Sequence, residues 1–363
     1  MKASIVDGLG RGFTVREVDI AAPLGREVLI DVKASGLCHS DLSVATFDLG
    51  FQFPSVLGHE LAGVVSAVGP DVTDIHVGDH VVGSCLQFCG QCDNCLSGKT
   101  HRCLHPETTL RAEGEAPRLT MDGKPIDQMA GLGGFAQQAL VHEYQLAVVP
   151  DEIPFAQAAL LGCGVLTGAG AVLNTANVQT GESVVIIGAG GVGMNAVSGA
   201  VIAGAATIIV IDVHDAKLER AQAFGATHTI NSTTTDPVAE VKRITGHGAD
   251  YVFDFVGIRP VTRQALQMLA KGGGLYLIGI GGKDAGLEID TSTLLNNQNR
   301  VEGVFMGSSN LKRDIPLYAS LYLQGRMNLD DLVSKEISLH EINEGYEALK
   351  DSSTTRVVIT DLS

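Results

Sequence analysis

Cys89, Cys92, Cys95 and Cys103 stand in a C-x2-C-x2-C-x7-C run, while Cys38 and Cys163 lie far apart with His59 between them. Six of the seven cysteines thus fall into two groups that metal chemistry can use. Four thiolates packed this closely can surround a tetrahedral Zn2+ and leave no coordination position open, as a structural site requires. The surrounding segment SCLQFCGQCDNCLSGKTHRCL has few apolar residues, so bound metal would stand in for a core. Three other uses share the pattern. A zinc ribbon that binds nucleic acid wants basic flanks; an iron–sulfur site of the bacterial ferredoxin type has a different last gap; redox C-x-x-C needs no third and fourth cysteine. Structural zinc is the favoured reading.

Cys38 lies in GLCHSD, His59 in LGHELAG and Cys163 in LLGCG. Two thiolates and a neutral imidazole can hold a zinc ion whose fourth position stays free for water or substrate. They also cancel the ion's 2+ charge. Taken singly, each has an ordinary explanation, since a buried free cysteine is a common small core residue and a histidine often sits in a turn. Their company with the four-cysteine run and the motif that follows favours a catalytic metal.

That motif is Gly188-Ala189-Gly190-Gly191-Val192-Gly193, placed after the apolar run SVVII and before the small-residue stretch VGMNAVSGAVIAGA. A lone G-x-G-x-x-G is weak, but between a strand and a helix it is the dinucleotide fingerprint. Gly188 allows the tight turn, Gly190 the approach of pyrophosphate, and Gly193 close contact of helix and strand. The helix start offers free N–H groups to phosphate. Asp212 ends the next strand, nineteen residues after Gly193, where a carboxylate accepts from ribose hydroxyls and repels a 2′-phosphate. Lys217 is placed to close over the same ribose. NAD is predicted over NADP. The alternative is an ordinary β-α-β turn with a capping Asp.

These residues need a scaffold, and 363 residues suit about two domains. The first 150 residues read as short β-rich segments, among them EVLIDVKASG, ELAGVVSAVG and GDHVVGS. Leu104 to Gly134 is long, polar and rich in Gly and Pro, and reads as a surface loop or lobe. FAQAALLGCGVLTGAGAVLNTA reads as helix, after which strands TIIVID, YVFDFVG and GLYLIGI alternate with helical stretches. That alternation predicts a doubly wound parallel sheet. The tail, with helical DIPLYASLYLQGRM and HEINEGYEALKDS and the strand TTRVVIT, does not continue it.

A formal net charge of −16 would repel phosphate backbones and anionic lipid, so neither nucleic acid nor membrane is expected as partner. The start MKASIVDGLGRGFTV has no signal-peptide pattern, and glycine or charge interrupts the apolar runs short of a membrane-spanning length. An odd number of cysteines in metal-like spacing fits a cytoplasmic chain with reduced thiols.

Taken together, GLCHSD, GHELAGVVSAVG, CGQCDNC…C, LLGCG and GAGGVG occur in the order found in zinc-dependent medium-chain alcohol dehydrogenases, and the chain resembles that family over nearly its whole length. The resemblance implies an α/β protein with a GroES-like catalytic domain at 1–164, carrying a structural zinc lobe at 85–105, a Rossmann NAD-binding domain at 165–304, and a return to the catalytic domain at 305–363. It implies two zinc ions per chain: one on Cys38, His59 and Cys163, one on Cys89, Cys92, Cys95 and Cys103. Glu60 matches an acidic residue that assists ligand exchange, Ser40 the hydroxyl that takes the alcohol proton, and Asp41 a partner that orients His59. Thr167 and Val192 match positions packing near nicotinamide, and Arg356 a pyrophosphate-binding arginine. Ser40 and Asp41 could each instead cap the segment that follows.

Two departures stand out. His39 occupies a position where some relatives have an arginine on the cofactor phosphate, and Ser43 replaces a relay histidine, which leaves water or His39 for the outer proton path. Cys85 falls where relatives line the substrate pocket, and its small size suits a bulky or aromatic substrate. The implied reaction interconverts an alcohol and its aldehyde or ketone by hydride transfer with NAD, and the 104–134 segment resembles the loop of dimeric members, which implies a homodimer. A second reading is a formaldehyde dehydrogenase that needs glutathione or mycothiol, given the CHSD form and the long loop after Cys103. A third, of another class, is a non-catalytic redox sensor binding zinc and NAD, although an open three-ligand site has no structural purpose. A zinc-free quinone reductase is disfavoured by the six cysteines.

Overall fold

The computed structural model describes residues 1–281 and 286–363. The chain divides into two compact units, one of Met1–Cys163 with Asn310–Ser363 and one of Gly164–Ser309.

The first unit is built on a seven-stranded sheet centred on Glu27–Gly36, whose neighbours are Leu61–Val68 and Arg356–Asp361. β-Branched residues at alternate positions bury one face: Val28, Ile30 and Val32 join Leu61, Val65, Val81 and Ile359 in a single core. The C-terminal strand pairs antiparallel with the central one, Val358 opposite Gly36 and Ile359 opposite Ser35. That pairing explains why the tail leaves the β-α alternation: its strand completes a sheet begun by the first 40 residues.

The polar segment after Cys103 is more ordered than a surface loop. It contributes the strands Leu119–Met121 and Lys124–Pro125 to a three-stranded sheet with Asp19–Ile20. The anchor is Glu27, whose buried carboxylate accepts from Arg111 Nη2 at 2.6 Å, Arg118 Nε at 2.7 Å and the Leu24 N–H at 2.9 Å. Burial works against this charge, but the two guanidiniums hold the Glu27 carboxyl below its usual range.

The second unit is a six-stranded parallel sheet in the order His228–Asn231, Thr207–Asp212, Ser183–Ile187, Ala249–Asp254, Leu269–Leu277, Arg300–Gly303. This is the doubly wound order in which the first strand sits at the centre and the chain reverses beside it. The apolar runs VVII and IIVI suit strands covered on both faces. Helix Gly191–Ala203 follows the first strand and stops at Gly204, whose φ of +79° forms a left-handed cap.

Phe155–Ala176 forms one 22-residue helical run, long and apolar enough to cross a membrane, yet its most apolar 18-residue stretch, with mean hydropathy 1.6, is 89% buried inside the protein. The sequence reading took its glycines as interruptions; they are packing devices instead. A Cβ on Gly162 would lie 2.0 Å from the Gly83 carbonyl, and one on Gly168 would lie 2.1 Å from the Val192 carbonyl. The helix widens to π turns at Leu161–Val165 and Ala171–Ala176, a local form common at functional sites.

Candidate metal centre and dinucleotide site

Cys38 Sγ, a His59 ring nitrogen, a Glu60 carboxylate oxygen and Cys163 Sγ all lie within 4.8 Å of one another, and all four residues are buried. Three different local structures deliver them. Cys38 ends an extended segment as the cap of helix His39–Thr46. His59 and Glu60 follow Gly58, where a φ of +92° and the 2.6 Å at which a Cβ would stand from Phe135 Cδ1 would strain any other residue. Cys163 sits on the π turn pressed against Gly83.

His59 is oriented from behind. Asp41 Oδ1 lies 2.9 Å from His59 Nδ1 and accepts the Gly58 N–H at 3.0 Å. With Nδ1 carrying the proton toward Asp41, Nε2 keeps its lone pair for a metal. Asp41 Oδ2 is buried with no hydrogen-bond partner among the described residues. The Cys163 thiol donates to Cys38, which together with the nearby His59 and Arg356 pulls the Cys38 thiol well below its usual range; the same sharing and burial push Cys163 up.

Glu60 is fully buried beside this cluster, and burial lifts its carboxyl to about 7 despite Arg356 Nη2 at 3.2 Å. Gly36 makes room for it, since a Cβ there would fall 2.4 Å from Glu60 Oε2. Arg356 also donates to the Leu37 carbonyl at 3.3 Å. Its guanidinium is therefore enclosed among Leu37, Cys38 and Glu60, a surrounding the sequence reading did not include. Ser40 Oγ stands 3.6 Å from Cys38 Sγ. His39 is exposed at the start of the helix and Ser43 lies within it. Cys85 packs partly buried against the core beneath the cluster.

The four remaining cysteines also converge, their sulfurs within 4.8 Å of one another. Cys89 and Cys95 sulfurs are 3.9 Å apart and those of Cys92 and Cys95 3.5 Å. The edge of a zinc–thiolate tetrahedron with bonds of ~2.3 Å is ~3.8 Å, whereas a disulfide is ~2.05 Å. Backbone N–H groups of Cys89 and His105 point at Cys103 Sγ at 3.1 and 3.3 Å, and that of Cys92 at Cys89 Sγ at 3.4 Å, which stabilises thiolate. Donor type, convergence and N–H support fit a closed zinc site. The buried pair of thiols with an oriented imidazole fits a zinc site as well.

In the second unit Gly188 has φ +98°, and a Cβ on Gly193 would lie 2.0 Å from the Gly188 carbonyl, so neither position accepts a side chain. A Cβ on Gly190 would meet nothing within 4 Å, leaving that side of the loop open to a ligand. Gly191 opens the helix, with Val192 in its first turn and no side-chain cap on its first N–H groups. Asp212 Oδ2 accepts from the Ala189 N–H at 2.8 Å, and Oδ1 from Val213 and His214 at 2.8 and 3.1 Å. The carboxylate thus binds the glycine loop to the end of the second strand. Lys217 is half-buried on the next helix, Asp215–Ala223. Thr167 donates to Met306 Sδ at 3.6 Å, and Gly168 beside it packs on the Val192 carbonyl.

A β-rich unit carrying two clusters of converging metal-ligand side chains, joined in one chain to a doubly wound parallel sheet, defines the class of zinc-binding, nicotinamide-dependent oxidoreductases. Residues 25–151 match the alcohol dehydrogenase GroES-like domain family and residues 191–321 the zinc-binding dehydrogenase family. The chain is 36% identical to an S-(hydroxymethyl)glutathione dehydrogenase of Paracoccus denitrificans, with 99% of each covered, and 37% identical to an NDMA-dependent alcohol dehydrogenase of Amycolatopsis methanolica, with 99% of this chain and 98% of that one covered. The crystal structure of benzyl alcohol dehydrogenase from Acinetobacter calcoaceticus is similar with a TM-score of 0.94 at 34% identity, covering 99% of both chains. The chain belongs to the zinc-dependent medium-chain alcohol dehydrogenase family.

Two buried features beside the candidate site escaped the sequence reading. The Glu60–Arg356 pair joins opposite ends of the chain, and no local pattern announces it. Tyr346 lies in the short helix Ile342–Ala348 with its hydroxyl buried near the metal cluster; a tyrosine in an amphipathic helix carries no distinguishing sequence signal.

Proposed function

We propose that this enzyme interconverts an alcohol and its aldehyde or ketone with NAD, holding two zinc ions per chain. The observation that carries the proposal is the convergence of Cys38, His59 and Cys163 on one buried point, with His59 oriented by Asp41. Zinc held by these three would supply Lewis-acid polarisation of the alcohol oxygen, and nicotinamide would accept the hydride.

The chain's own residues do the remainder. Cys38 and Cys163 would neutralise a bound zinc ion, and Asp41 keeps the Nδ1 proton of His59 so that Nε2 is left free to bind it. Ser40 Oγ, beside Cys38 Sγ, takes the proton that leaves the substrate and passes it outward, with His39 or water beyond it because position 43 is serine. Glu60, held by Arg356, would offer a further carboxylate oxygen to a metal bound there. Gly188, Gly190, Gly191 and Gly193 admit the pyrophosphate to the helix N-terminus, Arg356 supplies cationic charge to it, and Asp212 and Lys217 engage the adenosine ribose. Thr167 and Val192 pack against the nicotinamide. We assign catalysis to the unit formed by the two ends of the chain and NAD to the other. Cys89, Cys92, Cys95 and Cys103 hold the second zinc.

NAD is preferred because the Asp212 carboxylate, fixed by three backbone N–H groups, would repel a 2′-phosphate. Small Cys85 suits a bulky or aromatic alcohol, in keeping with the benzyl alcohol dehydrogenase similarity. The Paracoccus relative's name supports a second reading, oxidation of a thiol adduct of formaldehyde. Seven cysteines in no disulfide suit a reducing cytoplasm, and the 104–134 segment supports a homodimer, which sedimentation would test.

The experiment is a panel of alcohols and aldehydes with NAD and NADP, formaldehyde with and without glutathione or mycothiol, and zinc counted per chain. Cys38→Ala and His59→Ala are expected to lose one zinc and nearly all turnover. Activity within about tenfold of the parent after that loss, or NAD binding with one zinc and no alcohol oxidation by the parent, would remove the dehydrogenase assignment; the latter would favour a redox sensor.

A further inference from the structure

The proposed metal site leaves two buried polar atoms unexplained, Asp41 Oδ2 and the Tyr346 hydroxyl, neither with a hydrogen-bond partner among the described residues. Buried groups of this kind are rarely left unsatisfied, because each has given up its hydrogen bonds to water. Asp41 has spent its other oxygen on His59 and Gly58.

The packing brings the tyrosine to the same place. Gly345 lets its helix approach so closely that a Cβ there would sit 2.7 Å from Leu37 Cδ2 and 3.4 Å from Val357 Cγ1. Those neighbours directly precede Cys38 and follow Arg356. Phe13 stacks on the Tyr346 ring at 5.2 Å and fixes its plane. Burial chiefly, and then the charges of Asp41, Cys38 and Glu60, hold the Tyr346 hydroxyl in its protonated, donating form. Asp41 offers a carboxylate lone pair, and a phenol O–H is a suitable donor for it.

We propose that Tyr346 is a positioning residue for the metal centre: its hydroxyl donates through one bridging water to Asp41 Oδ2, extending the chain His59–Asp41 by one link. A carboxylate held at both oxygens cannot rotate away from the imidazole, so the tyrosine fixes the direction in which His59 Nε2 is presented. The proposal rests on Cys38, His59 and Cys163 holding a metal.

The test is Tyr346→Phe, which keeps the ring and its stack on Phe13 and removes only the oxygen. The zinc-loaded parent and variant are challenged with a chelator, and both are loaded with Co2+ to record the spectrum of the Cys38–His59–Cys163 site. The expected result is release from that site about tenfold faster, with a shifted cobalt band and an unchanged release rate from the four-cysteine site. In an Asp41→Asn background, Tyr346→Phe is expected to add little, because the two act on one link. Equal release rates and superimposable spectra, or fully additive effects with Asp41→Asn, would overturn the role of Tyr346. A parent that holds no metal on Cys38, His59 and Cys163 would overturn it together with the proposed function.

Discussion

Asp41 Oδ1 bridges two donors, His59 Nδ1 at 2.9 Å and the Gly58 N–H at 3.0 Å, so one carboxylate oxygen sets both the imidazole and the left-handed turn that carries it. The turn cannot relax without rotating the ring, and the ring cannot rotate without losing its acceptor.

Asp41→Asn should therefore disturb the metal centre more than the fold. An amide oxygen can keep one of the two contacts, but it no longer stabilises a ring that shares charge with a metal. Loss of about 10–100-fold in kcat or in zinc retention is expected, with little change in far-UV circular dichroism. Kinetics after controlled chelation would measure it.

Removal of a sulfur from the second site should act on stability. Cys103 accepts N–H groups from both Cys89 and His105, so Cys103→Ser loosens both ends of the lobe. One zinc should be lost, Tm should fall by roughly 5–10 °C, and protease should cut first within 85–105. Calorimetry with zinc analysis would show whether the loss is confined to this lobe.

Asp212→Ser should change cofactor choice. The carboxylate's repulsion of a 2′-phosphate disappears, while a hydroxyl keeps some capacity to accept from the Ala189 N–H. The ratio of kcat/KM for NADP to that for NAD should rise at least about tenfold, about 1.4 kcal/mol. Steady-state rates with both cofactors decide it.

The acid limb of stability should carry a contribution from His142. Burial, reinforced by the Arg118 and Arg26 guanidiniums, pushes this imidazole down to about 4. Its Nδ1 accepts the Tyr144 N–H at 3.1 Å, which requires that nitrogen to be unprotonated. An unfolded histidine titrates near ~6.5. The unfolded state therefore gains the proton first, and the contribution present above that pH is lost as pH falls toward 4. The loss is on the order of 2–3 kcal/mol. Urea midpoints of the parent and His142→Asn should converge or cross between pH 6.5 and 4 (roughly the two titration points), with the parent falling faster.

Much of this protein was legible where function depends on neighbours in the chain. The four-cysteine knuckle needs ligands a few residues apart, and the nucleotide loop needs glycines at the three places where a Cβ would strike a carbonyl, force a positive φ or close the approach. Such constraints act over one turn, so spacing alone expresses them. The tail's departure was visible too, because its two helical stretches and TTRVVIT do not extend the β-α alternation cleanly.

What tertiary structure decided lies between residues with no common local element. Glycines that interrupt the apolar run within Phe155–Ala176 are contact points of the helix, which tolerates them because their missing side chains admit another backbone. The polar stretch after Cys103 is ordered because Glu27, far earlier in the chain, accepts two of its arginines. Arg356 meets Glu60 only because the last strand pairs beside the central one. The sequence by itself determined which side chains could bind metal and cofactor, since donor type and short spacing are local properties. Which buried charges would face each other was decided by strand pairing and helix packing, since burial brings together groups that no periodicity links.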